Sequence, residues 1–230
     1  MTTPYPLGRH VEHDPRSLQF AHGVLPKTAL KSVDWTRRVP IFDQGQLGSC
    51  TGNAAAGLIG TDSAARTGQT TVNLTGDATA RPVDEDLAVE VYKLATTLDD
   101  IRGSYPPDDT GSSGIGAAKA LKKLGLASGY THAFSLDALK SALQNGPVMV
   151  GTVWLNSMFD PTSAGTVTVD RGRRPVPHRQ LVGRLVGRER LGVDHRRGPA
   201  VAALAAGRRH RPRVGVGAHP SSVAHSCSGS

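Results

Sequence analysis

Val39-Pro40-Ile41-Phe42-Asp43-Gln44-Gly45-Gln46-Leu47-Gly48-Ser49-Cys50-Thr51-Gly52-Asn53-Ala54 reads as a glycine-rich turn that feeds a cysteine into the first turn of a helix. Beyond it Ala54, Ala55, Leu58 and Ile59 recur at helical spacing, and the expected helix runs from Cys50 to about Arg66 with Gly68 as its stop. Its interior glycines, Gly52, Gly57 and Gly60, each cost about 1 kcal/mol relative to alanine, so close packing against a neighbour has to hold it. A cysteine in a first helical turn has unpaired N–H groups and the positive end of the helix dipole beside its sulfur. Both favour the thiolate, which is the nucleophile. Gln44, six residues earlier, is within reach to swing its side-chain amide towards an oxyanion forming beside that sulfur, while Gly45 and Gly48 let the backbone approach a substrate closely. The competing reading of Cys50 is a small buried hydrophobe.

Three more helices carry their own start and stop signals. One follows Asp84 as N-cap, with Leu87, Val91 and Ala95 on one face. Another runs from about Ser113 to Leu124, with Ile115, Ala118 and Leu121 inward, Gly125 as its stop, and Lys119, Lys122 and Lys123 on a solvated face. The last opens at Ser135, carries Leu136, Leu139 and Leu143, and ends at Gly146 before Pro147. The β-branched run from Val148 to Trp154 then reads as a buried strand. Helices first and strands second give an α+β protein with a helical lobe and an incompletely supplied sheet lobe.

The segment Asp43-Gln44-Gly45-x-x-Gly48-Ser49-Cys50, with Asp34-Trp35 upstream, resembles the papain-like cysteine peptidases over about residues 31 to 170. The resemblance implies a thiol protease acting on peptides or proteins without metal or cofactor, with Cys50 as nucleophile, Gln44 as oxyanion-hole donor, and Gly48 and Ser49 beside the substrate. Gly111-Ser112-Ser113-Gly114 is similar to the glycine-rich wall of that family's substrate cleft, which makes Gly111, Ser112 and Gly114 substrate-binding candidates. Gln144-Asn145-Gly146-Pro147-Val148 is similar to the Gly-Pro entry into its first sheet-lobe strand. Two departures stand out. Leu47 occupies a position often held by a disulfide cysteine, and Thr51 replaces an aromatic, which leaves the nucleophile less shielded. A nucleophile of this kind also needs a histidine base and a group, usually Asn, to orient it. His178 and His195 fall near the expected spacing, but His178 is followed by Arg179, and no Asn occurs after Asn156.

The reason lies in a break of composition near Asp170. Residues 1–170 carry 7 Lys, 7 Arg and 17 acidic residues, a charge of −3; residues 171–230 carry 13 Arg, Glu189, Asp194 and no Lys, a charge of +11. That second segment also lacks Phe, Tyr, Trp, Ile, Met, Thr and Asn. So poor in aromatics, it is expected to be a tail without regular structure, after a polar N-terminal extension (1–30) and the papain-like part (31–170). It has two origins to choose between: a natural basic arm, or a shifted reading frame. Gln180 to Gly187, back-translated and read one nucleotide later, permits Asn-Ser-Trp-Gly-Gly-Trp-Trp-Gly, and the family's orienting Asn sits in an Asn-Ser-Trp-Gly motif.

Composition limits the rivals. Two cysteines, Cys50 and Cys227, make no disulfide framework or zinc pair, and no apolar run approaches the roughly 18 residues of a membrane span. With no apolar signal core in Met1–Gly23, a cytoplasmic location is expected. A nucleic-acid binder using the tail would show stacking aromatics, which the tail lacks; a non-catalytic relic of a peptidase is the stronger rival. The coding DNA separates the two origins of the tail. One nucleotide downstream after the Asp170 codon, a frame shift predicts AAC or AAT across Gln180 and Leu181, then codons for Ser, Trp and Gly with aromatics restored. Early stop codons in that frame would leave a natural arm.

Overall fold

Among the described residues, three of the four α-helices begin at a side chain that accepts a hydrogen bond from an orphan first-turn N–H. In the computed structural model, which describes residues 9–10, 14–152, 158–159, 162–163, 182–183 and 202–207, Asp84 accepts from Leu87 N–H ahead of α2 (Glu85–Thr96). Ser113 does so from Gly116 ahead of α3 (Gly114–Lys123), and Ser135 from Ala138 ahead of α4 (Leu136–Leu143). Of the apolar stripes expected from periodicity, Leu87, Val91, Ala95, Ile115, Ala118, Leu121 and Leu139 are buried, whereas Leu136 and Leu143 of α4 are half-buried. Gly125, at φ +77°, ends α3 in the left-handed conformation that favours glycine.

α1 (Cys50–Ile59) is shorter than expected. The chain leaves the helix at Gly60, where a Cβ would sit 2.3 Å from Val39 Cγ2, because the strap formed by residues 37–39 closes over this end and Arg38 N–H donates to the Gly60 carbonyl. Arg66 is then not a helical residue but a cap on the helix end, its guanidinium donating to the Ile59 and Leu58 carbonyls at 2.8 and 3.2 Å.

α1, α2 and α3 pack together around the main core. The α1–α2 approach depends on Gly52, whose Cβ, if present, would lie 2.2 Å from the Ala88 carbonyl and 3.0 Å from Tyr92 Cβ. A smaller cluster joins α4 to a sheet through Ala133, Ala138, Leu139 and Val150. Trp35 Nε1 donates to the Leu143 carbonyl at 2.8 Å and ties the segment just before the strap to α4.

Strands are short. β1 (Arg9–His10) runs parallel to β4 (Ser112–Ser113), and β2 (Thr71–Val72) pairs antiparallel with β3 (Arg81–Pro82). A four-stranded antiparallel sheet has the order β5 (Gly129–Ala133), β8 (Ala202–Gly207), β6 (Met149–Gly151), β7 (Val182–Gly183). The chain is thus an α+β protein. β6 occupies residues 149–151 of the strand expected over 148–154, whose last two residues, Val153 and Trp154, lie outside the described residues.

Within the segment expected to lack regular structure, the described residues 182–183 and 202–207 are strand. Sheet ladders are made by backbone groups, and β5 and β6 each offer an edge to an inserted strand. Ala200–Gly207 is an uncharged run of Ala, Val, Leu and Gly without the scattered arginines of its surroundings. Residues 14–30, part of the polar extension, lie against the body: Asp14 caps a 3₁₀ turn (Pro15–Phe20) and pairs with Arg16 and with Lys119 of α3. Lys119 is therefore engaged rather than purely solvated, and it also donates to the Leu98 carbonyl. No helix among the described residues is long and apolar enough to cross a membrane.

The Gly52 contact is testable. The methyl of Gly52→Ala meets another helix's backbone, which cannot rotate away, and overpacking of this kind costs about 1–3 kcal/mol, outweighing the gain of about 1 kcal/mol in helix propensity. Denaturant unfolding should show net destabilisation for Gly52→Ala and almost none for Gly23→Ala, where nothing lies within 4 Å. A Gly52→Ala chain as stable as wild type would contradict the packing.

Candidate active site

The turn before α1 is built by its own polar groups. Leu47 N–H donates to the Gln44 carbonyl at 3.1 Å, Gly45 N–H donates to Asp43 Oδ1 at 3.0 Å, and Gly45 adopts φ +54°, a value that favours glycine. Gln44 Nε2 donates to the Leu47 carbonyl at 2.8 Å, so the side chain proposed as an oxyanion donor closes this same turn with one of its two N–H groups.

Cys50 opens α1, which places it at the positive end of the helix dipole. Ser49, the N-cap residue, makes no side-chain cap bond; its hydroxyl donates to Asn53 Oδ1 at 3.1 Å, and Asn53 Nδ2 donates to Glu85 Oε1 at 2.6 Å. Cys50 is only 2% exposed and Thr51 is fully buried, so the absence of an aromatic at position 51 does not leave the thiol unshielded. Burial follows from seating the first turn of α1 against α2 through Gly52.

The glycine-rich segment is brought to this turn. Gly48 N–H donates to both oxygens of Asp109, at 2.9 and 3.1 Å, and Tyr92 of α2 donates its hydroxyl proton to Asp109 Oδ1 at 2.5 Å. The same hydroxyl accepts from Gly111 N–H at 2.9 Å, with Gly111 at φ +70°. Of the candidates on this wall, Ser112 is fully buried and its hydroxyl donates to Asp99 Oδ2 at 2.8 Å, so its side chain faces the protein interior. Gly114 is the first residue of α3. β1 covers the backbone of Ser112–Ser113, and His10 Nε2 donates to the Thr110 carbonyl at 2.6 Å.

His22 Nδ1 lies 2.9 Å from the Thr131 hydroxyl, and His132 stacks on Phe134 with ring centroids 4.3 Å apart. His178 and His195 lie outside the described residues. Asp109 and Tyr92 are the site residues that sequence reasoning missed. The signal was faint but physical: Tyr92 adjoins the buried stripe of α2, and a buried phenol needs a polar partner. Among the described residues no group of three or more His, Cys, Asp or Glu side chains is arranged to hold a metal ion.

Comparison with family models, with curated proteins and with solved structures gives no match.

Glu85 offers a test by pH. Burial pushes its carboxyl above the ordinary value of 4.5, against the lowering effect of the Asn53 and Asp43 hydrogen bonds, and Oε2 has no hydrogen-bond partner among the described residues. A raised folded-state pKa means that the neutral acid stabilises the fold, a contribution present below 4.5 and lost as pH rises through the raised value. Glu85→Gln keeps the acceptor for Asn53 and never ionises. Its stability relative to wild type should therefore grow between about pH 4 and pH 7 in paired urea titrations. A flat or falling difference would show that Glu85 is not held against ionisation.

Proposed function

We propose that this chain is a papain-like cysteine peptidase by descent, and that Cys50 is its nucleophile. The observation that carries the reading is the placement of Cys50 as first residue of a buried helix, behind a glycine turn closed by Gln44 and beside the Gly111 loop. In this reading Cys50 Sγ attacks a peptide carbonyl, and Cys50 N–H with the Gln44 side-chain amide stabilises the oxyanion. The C–N bond breaks, the amine leaves with a proton, and water hydrolyses the resulting thioester.

The proton must be taken from the thiol and returned to the amine. A positioned base and acid of this sort is typically worth about 100-fold to 10,000-fold. With His178 the best in-frame candidate and no Asn following it, turnover by this chain is expected to be very weak. Iodoacetamide at about pH 6 should label Cys50 ahead of Cys227, which stands in a Ser-rich stretch of sequence with no helix start signal beside it. Any hydrolysis of a fluorogenic peptide should vanish in Cys50→Ala. Equal labelling of the two cysteines would overturn the nucleophile. Selective labelling without any turnover would favour the non-catalytic relic. Robust turnover abolished by both Cys50→Ala and His178→Ala would make His178 the base.

A further inference from the structure

Four groups meet between the nucleophile turn and the glycine-rich loop: Gly48 N–H, the Asp109 carboxylate, the Tyr92 hydroxyl and Gly111 N–H, joined in a continuous chain of hydrogen bonds of 2.9, 2.5 and 2.9 Å. Gly48 stands two residues before Cys50, and Gly111 two residues after Asp109. Tyr92 comes from a third element, α2, and its side chain is fully buried. We propose that Asp109 and Tyr92 are positioning residues for Cys50, which lock the turn that delivers the thiol to the loop opposite it. The inference rests on the peptidase reading for what Cys50 does.

The chemistry suits a lock. A carboxylate accepting from a backbone N–H and a phenol makes charge-assisted bonds, the strong and short class, and both of its donors are fixed, one on a helix and one in a tight turn. Burial, followed by the Asp109 hydrogen bond and charge, pushes the Tyr92 hydroxyl well above its ordinary pKa of 10. Tyr92 therefore stays a proton donor to Asp109 across the working pH range. Leu47, in the same turn, offers no thiol for a covalent tie, so the connection between turn and loop here is polar. Tyr92 lies directly under α1 because position 52 has no Cβ, which sets the height of the hydroxyl relative to the first turn.

The lock and a charge effect have opposite signatures. The titratable groups hydrogen-bonded into this first turn and its neighbours are Asp109 on the loop, Tyr92 and Glu85 on α2, and Asp43 in the turn, with His10 on the Thr110 carbonyl; Asp86, Glu90 and Lys93 also lie on α2 and Asp108 on the loop. Removing Asp109's negative charge would by itself favour a thiolate nearby. Loosening the turn would carry the sulfur away from the helix N-terminus and favour the neutral thiol. Tyr92→Phe and Asp109→Glu leave every charge in place and disturb only the geometry. Tyr92→Phe strips Gly111 N–H of its acceptor and Asp109 of a donor, and Asp109→Glu shifts the acceptor by one methylene.

The experiment is the rate of iodoacetamide alkylation of Cys50 in the full chain from about pH 5 to pH 10, read by peptide mapping so that Cys227 does not interfere. Changed access scales the rate at every pH alike, whereas changed position moves the midpoint. The wild-type midpoint is expected below that of the denatured chain, and Tyr92→Phe should move it up toward about 8.5 with about a tenfold lower rate at pH 6. Leu139→Ala, a core truncation in the cluster on α4, serves as the comparison for general destabilisation and should leave the midpoint in place. Where Tyr92→Phe fails to melt cooperatively, Asp109→Glu supplies the same readout with the same expected direction. A midpoint unchanged from an activated wild type in the folded variants overturns the lock alone. So does an equal shift in Leu139→Ala. A wild-type midpoint equal to that of the denatured chain overturns the peptidase reading and the lock with it.

Discussion

The site depends on how closely α1 can approach α2. At Gly52 the two helices meet with backbone against backbone, leaving no room for even a methyl group between position 52 and the Ala88 carbonyl. That contact has two consequences. It buries the first turn of α1, with Cys50 at 2% exposure, and it brings Tyr92 under the turn at the height where its hydroxyl meets Asp109. The glycine costs helix propensity in isolation, so α1 is a helix because of its neighbours. The same holds at its far end, where the strap and the Arg66 guanidinium take up the last carbonyls.

Two physical effects act on the Cys50 thiol in opposite directions. Burial in apolar surroundings favours the neutral thiol, while the positive end of the helix dipole favours the thiolate. Asp109 adds a negative charge to the neighbourhood, but one already shared with Gly48 N–H and the Tyr92 hydroxyl. In the role proposed for Cys50, the turn trades some local electrostatic advantage for geometric definition, as a nucleophile that must meet a carbonyl within a few tenths of an ångström requires.

Much of this was legible in the sequence. Asp84, Ser113 and Ser135 announce their helices because a capping side chain has one task, and the apolar stripes behind them are regular. The length of α1 was not legible, since Ala, Leu and Ile continue a helical pattern up to the point where a distant strap intervenes, and Arg66 reads equally as a last-turn residue or as a cap from outside. Ser112 shows the limit for side chains: its position in the glycine-rich segment was clear, but only its partner Asp99 reveals which way the hydroxyl faces. β8 was hidden because composition reports side-chain burial, whereas insertion between two strand edges requires only backbone. Asp109 was hidden for a related reason, since one acid among several loop acids becomes special only when the fold presents it to Gly48.

The most direct measurement is native-state amide hydrogen exchange at Gly48 and Gly111, the two N–H groups held by Asp109 and Tyr92. If the α1–α2 contact and the polar chain above it act as one unit, both amides open only when Val91 and Ala56 in the adjoining helices do, with comparable protection. Exchange of Gly48 and Gly111 at the rates of exposed loop amides, while the helical amides stay protected, would contradict the account.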